Sequence, residues 1–243
     1  MPLHNVSVIL AGVKYPGNIG SAARAMFNMG LSRLALAAPQ CSIDEESYRL
    51  ARGGRAVLDS AKNHKSLKGA LRGIRFLAGT TGKSGGYRAQ THSLRSIVPR
   101  ILDHAARQRV GILFGPEDTG LVDEDLKPCQ LLIRIPTHHR AHSINLAQSV
   151  MIVCYELYLG SLVREPARVP KLASVEQVEA MYGQMEKALL EIGFLQPQNA
   201  QHMMFALRRI LGRAGLEAAE VRVLRGIARQ INWYAEARRP GRE

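Results

Sequence analysis

Along the first two thirds of the chain, short runs of apolar residues alternate with stretches in which apolar residues recur at helical spacing. Runs rich in β-branched and apolar residues predict buried strands at residues 6–13, 33–38, 74–79, 110–114 and 131–135. Apolar residues at helical spacing predict helical regions between them, at residues 19–29, 44–72, 96–107 and 144–163. Because strands and helices alternate, the pattern predicts an α/β domain with a mainly parallel sheet over residues 1–163.

The pattern changes after residue 163. Residues 164–173 contain two prolines and alternating charges, which is typical of a linker. Three helical patterns follow, at residues 174–192, 198–213 and 217–235, with no predicted strand between them. We therefore predict a small α-helical extension over residues 174–243.

Positive charge is concentrated in one quarter of the chain. The sequence has 33 Lys and Arg residues against 20 Asp and Glu, a net charge of +13. The segment Arg49–Arg109 holds 14 of the basic residues and only two acids, so it carries +12 of that charge. A solvated basic surface is one interpretation, and a surface that binds nucleic acid is the other. On the second interpretation the predicted RNA contacts are Arg49, Arg52, Arg55, Lys83 and Arg88.

Cysteine and histidine spacing gives no sign of a metal site. The cysteines, Cys41, Cys129 and Cys154, are far apart and form no C-x-x-C pair, so neither a zinc knuckle nor a disulfide framework is indicated. The histidines of residues 138–142 lack matched carboxylates or cysteines, so we expect no metal. The first apolar run is too short for a signal or membrane segment, and we expect a cytoplasmic protein without membrane contact.

Three loops follow predicted strands, where open α/β sheets bind their ligands. Residues 17–24 place glycines at the start of a helix but lack G-x-G-x-x-G, which argues against a dinucleotide enzyme. Residues 79–84 resemble a P-loop, yet Leu77 stands where a Walker A loop needs glycine, so the spacing argues against an ATPase. In residues 114–121, Glu117 is a candidate hydrogen-bond acceptor between two glycines.

The same loops carry three ordered motifs of a known family. Residues 18–30 (N-x-G-x-x-A-R with a closing N-x-G), 114–121 (FGPEDTGL) and 143–150 (SINLAQSV) resemble the TrmH/TrmJ-like branch of the SPOUT methyltransferases. Residues 182–227 also resemble the helical extension of the bacterial TrmJ group. Those proteins are tRNA (cytidine/uridine-2'-O-)-methyltransferases that act at anticodon-loop position 32. The resemblance spans nearly the whole chain.

The resemblance implies a fold, a cofactor, partners and a site. It implies a SPOUT domain with a C-terminal trefoil knot, an exception to the rule against threaded loops, and a homodimer with both subunits at the active site. It also implies S-adenosyl-L-methionine as cofactor and tRNA as substrate. Arg24 matches the family's catalytic arginine and Asn18 its motif-one asparagine. The implied cofactor-binding residues are Thr80, Thr81, Gly82, Gly115, Glu117, Ile135, His142, Ser143, Ile144, Asn145 and Leu146.

Two departures from the family pattern bear on substrate detail. Asp118 stands where relatives often have a basic or neutral residue, and His142 replaces a small one. A guanidinium is a poor base because arginine keeps its proton in proteins, so we expect Arg24 to orient the ribose hydroxyl and stabilise the developing alkoxide. An rRNA 2'-O-methyltransferase and a catalytically silent RNA-binding protein of the same fold are the alternatives.

Overall fold

The computed structural model describes residues 2–83, 90–138, 143–162 and 171–237. The chain divides into two compact units, Met1–Val169 and Pro170–Glu243. The first unit is an α/β structure and the second is helical.

The first unit is built on a seven-stranded sheet in which every neighbouring pair of strands is parallel. The strand order across the sheet is β3-β2-β1-β6-β4-β7-β5. The central strand β1 is buried along its whole length, as expected for a parallel sheet covered on both faces. The strands are β1 (Val6–Ala11), β2 (Arg33–Ala37), β3 (Lys62–His64), β4 (Phe76–Thr80), β5 (His92–Ser93), β6 (Val110–Phe114) and β7 (Leu131–Arg134).

Helices connect these strands and cover the sheet. Two of them, α1 and α7, pack against each other, and α7 also packs on α5. A single 3-10 turn, Arg52–Gly54, lies between the second and third helices. The helices of the first unit are α1 (Pro16–Asn28), α2 (Glu45–Ala51), α3 (Arg55–Asp59), α4 (Leu67–Ala70), α5 (Leu94–Ala105), α6 (Asp123–Leu126) and α7 (Leu146–Leu162).

The predicted α/β architecture is confirmed, with local corrections. All five predicted strands are present, but β3 and β5 were missed because runs of three and two residues carry no measurable period. The helical region predicted over residues 44–72 consists of four short helical segments rather than one helix. Helix α2 ends before Arg52, whose φ of 45° lies outside the right-handed helical region, and β3 separates α3 from α4. Helix α1 begins at Pro16, before the predicted start at residue 19, because proline suits the first helical position.

Helix α1 lies unusually close to the segments that follow β2. A Cβ atom at Gly20 would overlap the backbone carbonyl of Ser47 in α2. A Cβ atom at Gly54 would lie 2.7 Å from the carbonyl oxygen of Ala23 and 2.9 Å from the Cα atom of Arg24. Glycine is required at both positions because no side chain fits between backbones at this distance. These two contacts fix the position of the helix that carries Arg24.

A buried histidine in α5 packs against strand β4 of the sheet. His104 in α5 stacks on Phe76 of β4, with ring centroids 4.0 Å apart, and its Nδ1 lies 2.7 Å from Nε2 of Gln108. Burial, followed by the nearby positive charge of Arg100, lowers the pKa of His104 to about 4. The ring is therefore neutral in the folded protein at physiological pH.

The second unit is a small helical bundle with its own core. It consists of α8 (Val175–Glu191), α9 (Ala200–Ala214) and α10 (Ala218–Ala237), and α8 packs chiefly on α10. Tyr182 is buried in this core, and Arg208 lies over its ring, 4.3 Å from the centroid. The Arg208 guanidinium also makes two hydrogen bonds to Glu179, of 2.6 and 2.9 Å. No helix in the described ranges is long and apolar enough to cross a bilayer.

We expect the substitution Gly20→Ala to lower the free energy of unfolding by about 3 kcal/mol or more, because the added methyl group meets backbone rather than a movable side chain. Ser21→Ala, at the next position of α1, is the matched control and should change that free energy by less than about 0.5 kcal/mol. Urea denaturation followed by circular dichroism measures both. Equal stability of the two variants would contradict the close approach of α1 and α2.

We expect His104 to make stability depend on pH. Its pKa is about 4 in the folded state against an ordinary 6.5. Its contribution is therefore fully present above pH 6.5 and is lost as pH falls towards 4, where the unfolded chain binds the extra proton. The free energy of unfolding should fall by about 2 kcal/mol between pH 7 and pH 5 through this group. His104→Gln should reduce that pH dependence by the same amount in urea titrations, and an unchanged slope would refute the assignment.

Candidate active site

A cleft opens beyond the carboxyl ends of β4, β6 and β7. Parallel strands bring all their carboxyl ends to one edge of the sheet, so the loops that follow them meet there. The cleft lies between these loops and the start of α7. Its lining consists of residues 80–83, 114–121, 133–135, Thr137, Ser143, Ile144, Leu146 and Ser149.

Hydrogen bonds between side chains join the three motif loops. Asn18 donates from Nδ2 to Oε1 of Glu117 at 2.7 Å, and its Oδ1 accepts from Nδ2 of Asn145 at 3.1 Å. Asn145 in turn accepts at Oδ1 from the backbone N–H groups of Ala147, at 2.9 Å, and Gln148, at 3.3 Å. It therefore caps the first turn of α7. The amide of Asn18 thus bridges loops that are 99 and 127 residues away in the chain.

The chain after β1 is tied to the same network. The backbone N–H of Lys14 donates to Oε2 of Glu117 at 3.1 Å, so each oxygen of this carboxylate accepts one hydrogen bond and keeps a second acceptor position. The ammonium group of Lys14 bonds Asp118 at 2.6 Å. That hydrogen bond raises the pKa of Lys14 and lowers the pKa of Asp118. Asp118, one of the two family departures, therefore holds the Glu117 loop against the β1 loop.

The cleft combines polar groups with apolar walls. The hydroxyl of Thr80 donates to the carbonyl of Leu113 at 3.0 Å, which ties the ends of β4 and β6 together. Thr81 Oγ1 accepts from the backbone N–H of Lys83 at 3.1 Å, and the Lys83 ammonium donates to the carbonyl of Thr119 at 2.9 Å across the cleft. The apolar part of the wall comes from Leu121, Ile133, Ile135, Ile144 and Leu146.

The structure brings together most of the residues expected at the cofactor. Asn145 stands between the lining residues Ile144 and Leu146. It contributes through its hydrogen bonds to Asn18 and to the first turn of α7. His142 falls outside the described residues. Those of the expected set that line the cleft are Thr80, Thr81, Gly82, Gly115, Glu117, Ile135, Ser143, Ile144 and Leu146.

The predicted catalytic arginine does not line the cleft of its own chain. Arg24 is exposed on α1 and is not among the described residues that line the cleft of this single chain. Its backbone is held by Gly54, and the exposed side chains of Arg52 and Arg55 flank that glycine. Asn18, expected to be catalytic, has both polar atoms of its side chain engaged in the hydrogen bonds between the loops. Its geometry is that of a positioning residue.

The expected RNA contacts separate into two places. Arg49, Arg52 and Arg55 are exposed along α2, the 3-10 turn and α3. Lys83 instead lines the cleft, and Arg88 falls outside the described residues. Sequence analysis missed Arg134, which ends β7 and lines the cleft. The available signal was a charged residue inside an otherwise apolar run.

The described residues contain no group of three or more histidine, cysteine or acidic side chains placed to hold a metal ion. The thiols are unpaired with one another, and burial raises the pKa of Cys154 to about 12. Cys154 is therefore an apolar core residue rather than a nucleophile.

Known proteins resemble this chain over both units. Residues 5–155 match the SpoU rRNA Methylase family, and residues 176–242 match the C-terminal domain of the tRNA methyltransferase TrmJ. The tRNA (cytidine/uridine/adenosine-2'-O-)-methyltransferase TrmJ of Pseudomonas aeruginosa is 34% identical over 238 residues, which cover 93% of each chain.

Solved structures agree with the sequence matches. The crystal structure of TrmJ from Z. mobilis ZM4 superposes with a TM-score of 0.79 at 31% identity, over 93% of this chain and 98% of that one. An AdoMet-bound rRNA methyltransferase from Sinorhizobium meliloti superposes with a TM-score of 0.53 at 25% identity, over 65% of this chain and 57% of that one. The chain therefore belongs to the SpoU methylase family, and it is similar to TrmJ proteins along both units.

Proposed function

We propose that this chain is an S-adenosyl-L-methionine-dependent tRNA 2'-O-methyltransferase that acts on cytidine or uridine at anticodon-loop position 32, in the cytoplasm. The proposal rests on one observation: hydrogen bonds among Asn18, Glu117 and Asn145 join the three motif loops beside one cleft. Membership of the family and the tRNA 2'-O-methyltransferase activity of the P. aeruginosa relative support it.

The cleft has the chemistry that S-adenosyl-L-methionine needs. Leu121, Ile133 and Leu146 provide an apolar wall for the adenine ring, and the hydroxyl of Thr81 and the carboxylate of Glu117 provide acceptors for ribose and amino groups. The AdoMet-bound relative supports this assignment. When bound, the cofactor supplies an electrophilic methyl group on a sulfonium.

The protein's contribution to methyl transfer is positioning and charge stabilisation. A ribose 2'-hydroxyl must face the methyl group in line and lose its proton. The Arg24 guanidinium donates hydrogen bonds to the hydroxyl oxygen and stabilises the negative charge that develops there. Since Asn18 is engaged between the loops, its role is to keep the cleft walls at a fixed separation.

A homodimer and a trefoil knot complete the proposed architecture. Helix α7 is apolar around most of its circumference, yet Tyr155 and Leu162 remain 45% and 54% exposed. An apolar helix face of this kind supports burial against a second copy of the chain. A second copy would also supply an Arg24 to a cleft that the described residues of one chain leave without it. The match of residues 5–155 to the SpoU methylase family supports the trefoil knot that the resemblance implies.

The proposed tRNA surface includes Arg49, Arg52 and Arg55, which are exposed and lie in the strongly basic segment, with Arg52 and Arg55 flanking the glycine that contacts the backbone of Arg24. The match of residues 176–242 to the TrmJ C-terminal domain supports tRNA rather than rRNA as the substrate. The first unit alone, which matches a family described by rRNA methylation, supports rRNA as the second candidate.

The proposal is tested by incubating the full-length protein with S-adenosyl-L-methionine carrying a labelled methyl group, together with total tRNA and, separately, ribosomal RNA. We expect label in tRNA, located by nuclease digestion and mass spectrometry as 2'-O-methylcytidine or 2'-O-methyluridine at position 32. Label confined to ribosomal RNA would establish the second candidate. Cofactor and tRNA binding without methyl transfer would indicate a silent RNA-binding protein.

We expect Arg24→Ala to reduce the turnover number by at least about a hundredfold, because it removes a donor that acts on the developing charge. The affinity for S-adenosyl-L-methionine, measured by calorimetry, should stay within about twofold, since the proposed contact of Arg24 is with the ribose hydroxyl rather than with the cofactor. Ser21→Ala, on the same helix, is the control and should keep wild-type turnover. Wild-type turnover in Arg24→Ala would remove Arg24 from the active site.

A further inference from the structure

A second cavity lies at the opposite end of the sheet from the cleft. Its lining includes Ser7 at the start of β1, Arg33 at the start of β2 and Lys62 at the start of β3. Ile74 and Arg109, which precede β4 and β6, also line this cavity. Because the sheet is parallel, these residues mark the amino ends of the strands, whereas the candidate active site lies at the carboxyl ends. The two cavities are therefore separate sites.

The lining of this cavity is cationic. Four permanently basic side chains contribute to it, Arg33, Lys62, Arg72 and Arg109, together with His4 and His64. Ser7, Ser32 and Ser60 also line it, and the Ser60 hydroxyl donates to the carbonyl of Ala56 at 2.8 Å. None of the described residues that line it is acidic. Like charges collected in a concave site repel one another, and an anion bound there removes that repulsion.

One of these cations is incompletely satisfied. The Nε atom of Arg109 is buried and has no hydrogen-bond partner among the described residues. A buried N–H on a charged group without an acceptor carries a desolvation penalty. Arg33, by contrast, donates from its Nε to the carbonyl of His4 at 2.6 Å. The lining therefore includes one guanidinium N–H, at Nε of Arg109, that has no acceptor among the described residues.

We propose that this cavity binds a phosphate group. Guanidinium groups match phosphate oxygens through paired N–H donors, lysine adds a point charge, and the hydroxyls of Ser7 and Ser32 can donate further hydrogen bonds. The ligand is either a free phosphorylated molecule or a phosphodiester of a bound RNA strand, which share this chemistry. The proposal is independent of methyl transfer, because none of its residues lines the cleft.

Pyrophosphate is the probe, titrated by calorimetry in chloride buffer against three full-length proteins. The test variant K62Q/R72Q removes two exposed cations of the lining without touching the core. The control variant K65Q/K68Q removes two exposed charges from the same basic segment but leaves the lining intact. We expect pyrophosphate affinity to fall at least about tenfold in K62Q/R72Q and to stay within about twofold of wild type in K65Q/K68Q. Equal affinities in all three proteins overturn the proposal, including the case in which none binds.

Binding of tRNA by the same three proteins then identifies the source of the phosphate. If the cavity takes an RNA phosphodiester, K62Q/R72Q weakens tRNA binding more than the control does. It also reduces the slope of log affinity against log salt by roughly one per lost contact, and pyrophosphate competes with tRNA. If tRNA binding is equal in the two variants while pyrophosphate binding is lost, the ligand is a free phosphorylated molecule. Methylation assays are not part of either readout, so failure of the proposed function leaves this test valid.

Discussion

The side chain of Asn18 is the constraint on which the candidate active site depends. It joins Glu117 at 2.7 Å and Asn145 at 3.1 Å, and those residues belong to loops from distant parts of the chain. A single hydrogen bond of this kind contributes only about 1 kcal/mol net. Its importance is geometric, since Glu117 also binds the β1 loop and Asn145 also caps α7. Four segments around the cleft are thereby held in one arrangement before any ligand binds.

The parallel sheet determines what the two ends of the first unit can do. Every strand runs in the same direction, so one edge collects the loops with glycine, threonine and carboxylate groups. The other edge collects residues that precede strands, and in this chain these are arginine, lysine and serine. The strongly basic segment Arg49–Arg109 therefore does not form a single surface. Part of it flanks Arg24 on α1, and part lines the cavity at the amino ends.

The fold class and most of the cleft could be predicted from the sequence, for a physical reason. Long apolar runs such as β1 and β6 form buried strands in almost any context, and motif loops that follow strands meet at one edge. The short strands β3 and β5 were missed because their pairing is set by neighbouring strands rather than by local composition. The engagement of Asn18 between loops was also inaccessible, since a spacing along the chain does not specify which polar side chains meet.

The contact between Gly54 and the backbone of Arg24 has a mechanical consequence. A Cβ atom at Gly54 would lie only 2.7 Å from the carbonyl oxygen of Ala23, so α1 and the Arg52–Gly54 turn pack backbone to backbone with no side chain between them. We expect a displacement of one segment to displace the other. An RNA strand that pulls on Arg52 or Arg55 would therefore transmit its displacement to the guanidinium of Arg24. RNA binding and the orientation of the reacting 2'-hydroxyl would then both depend on the position of α1 and the Arg52–Gly54 turn.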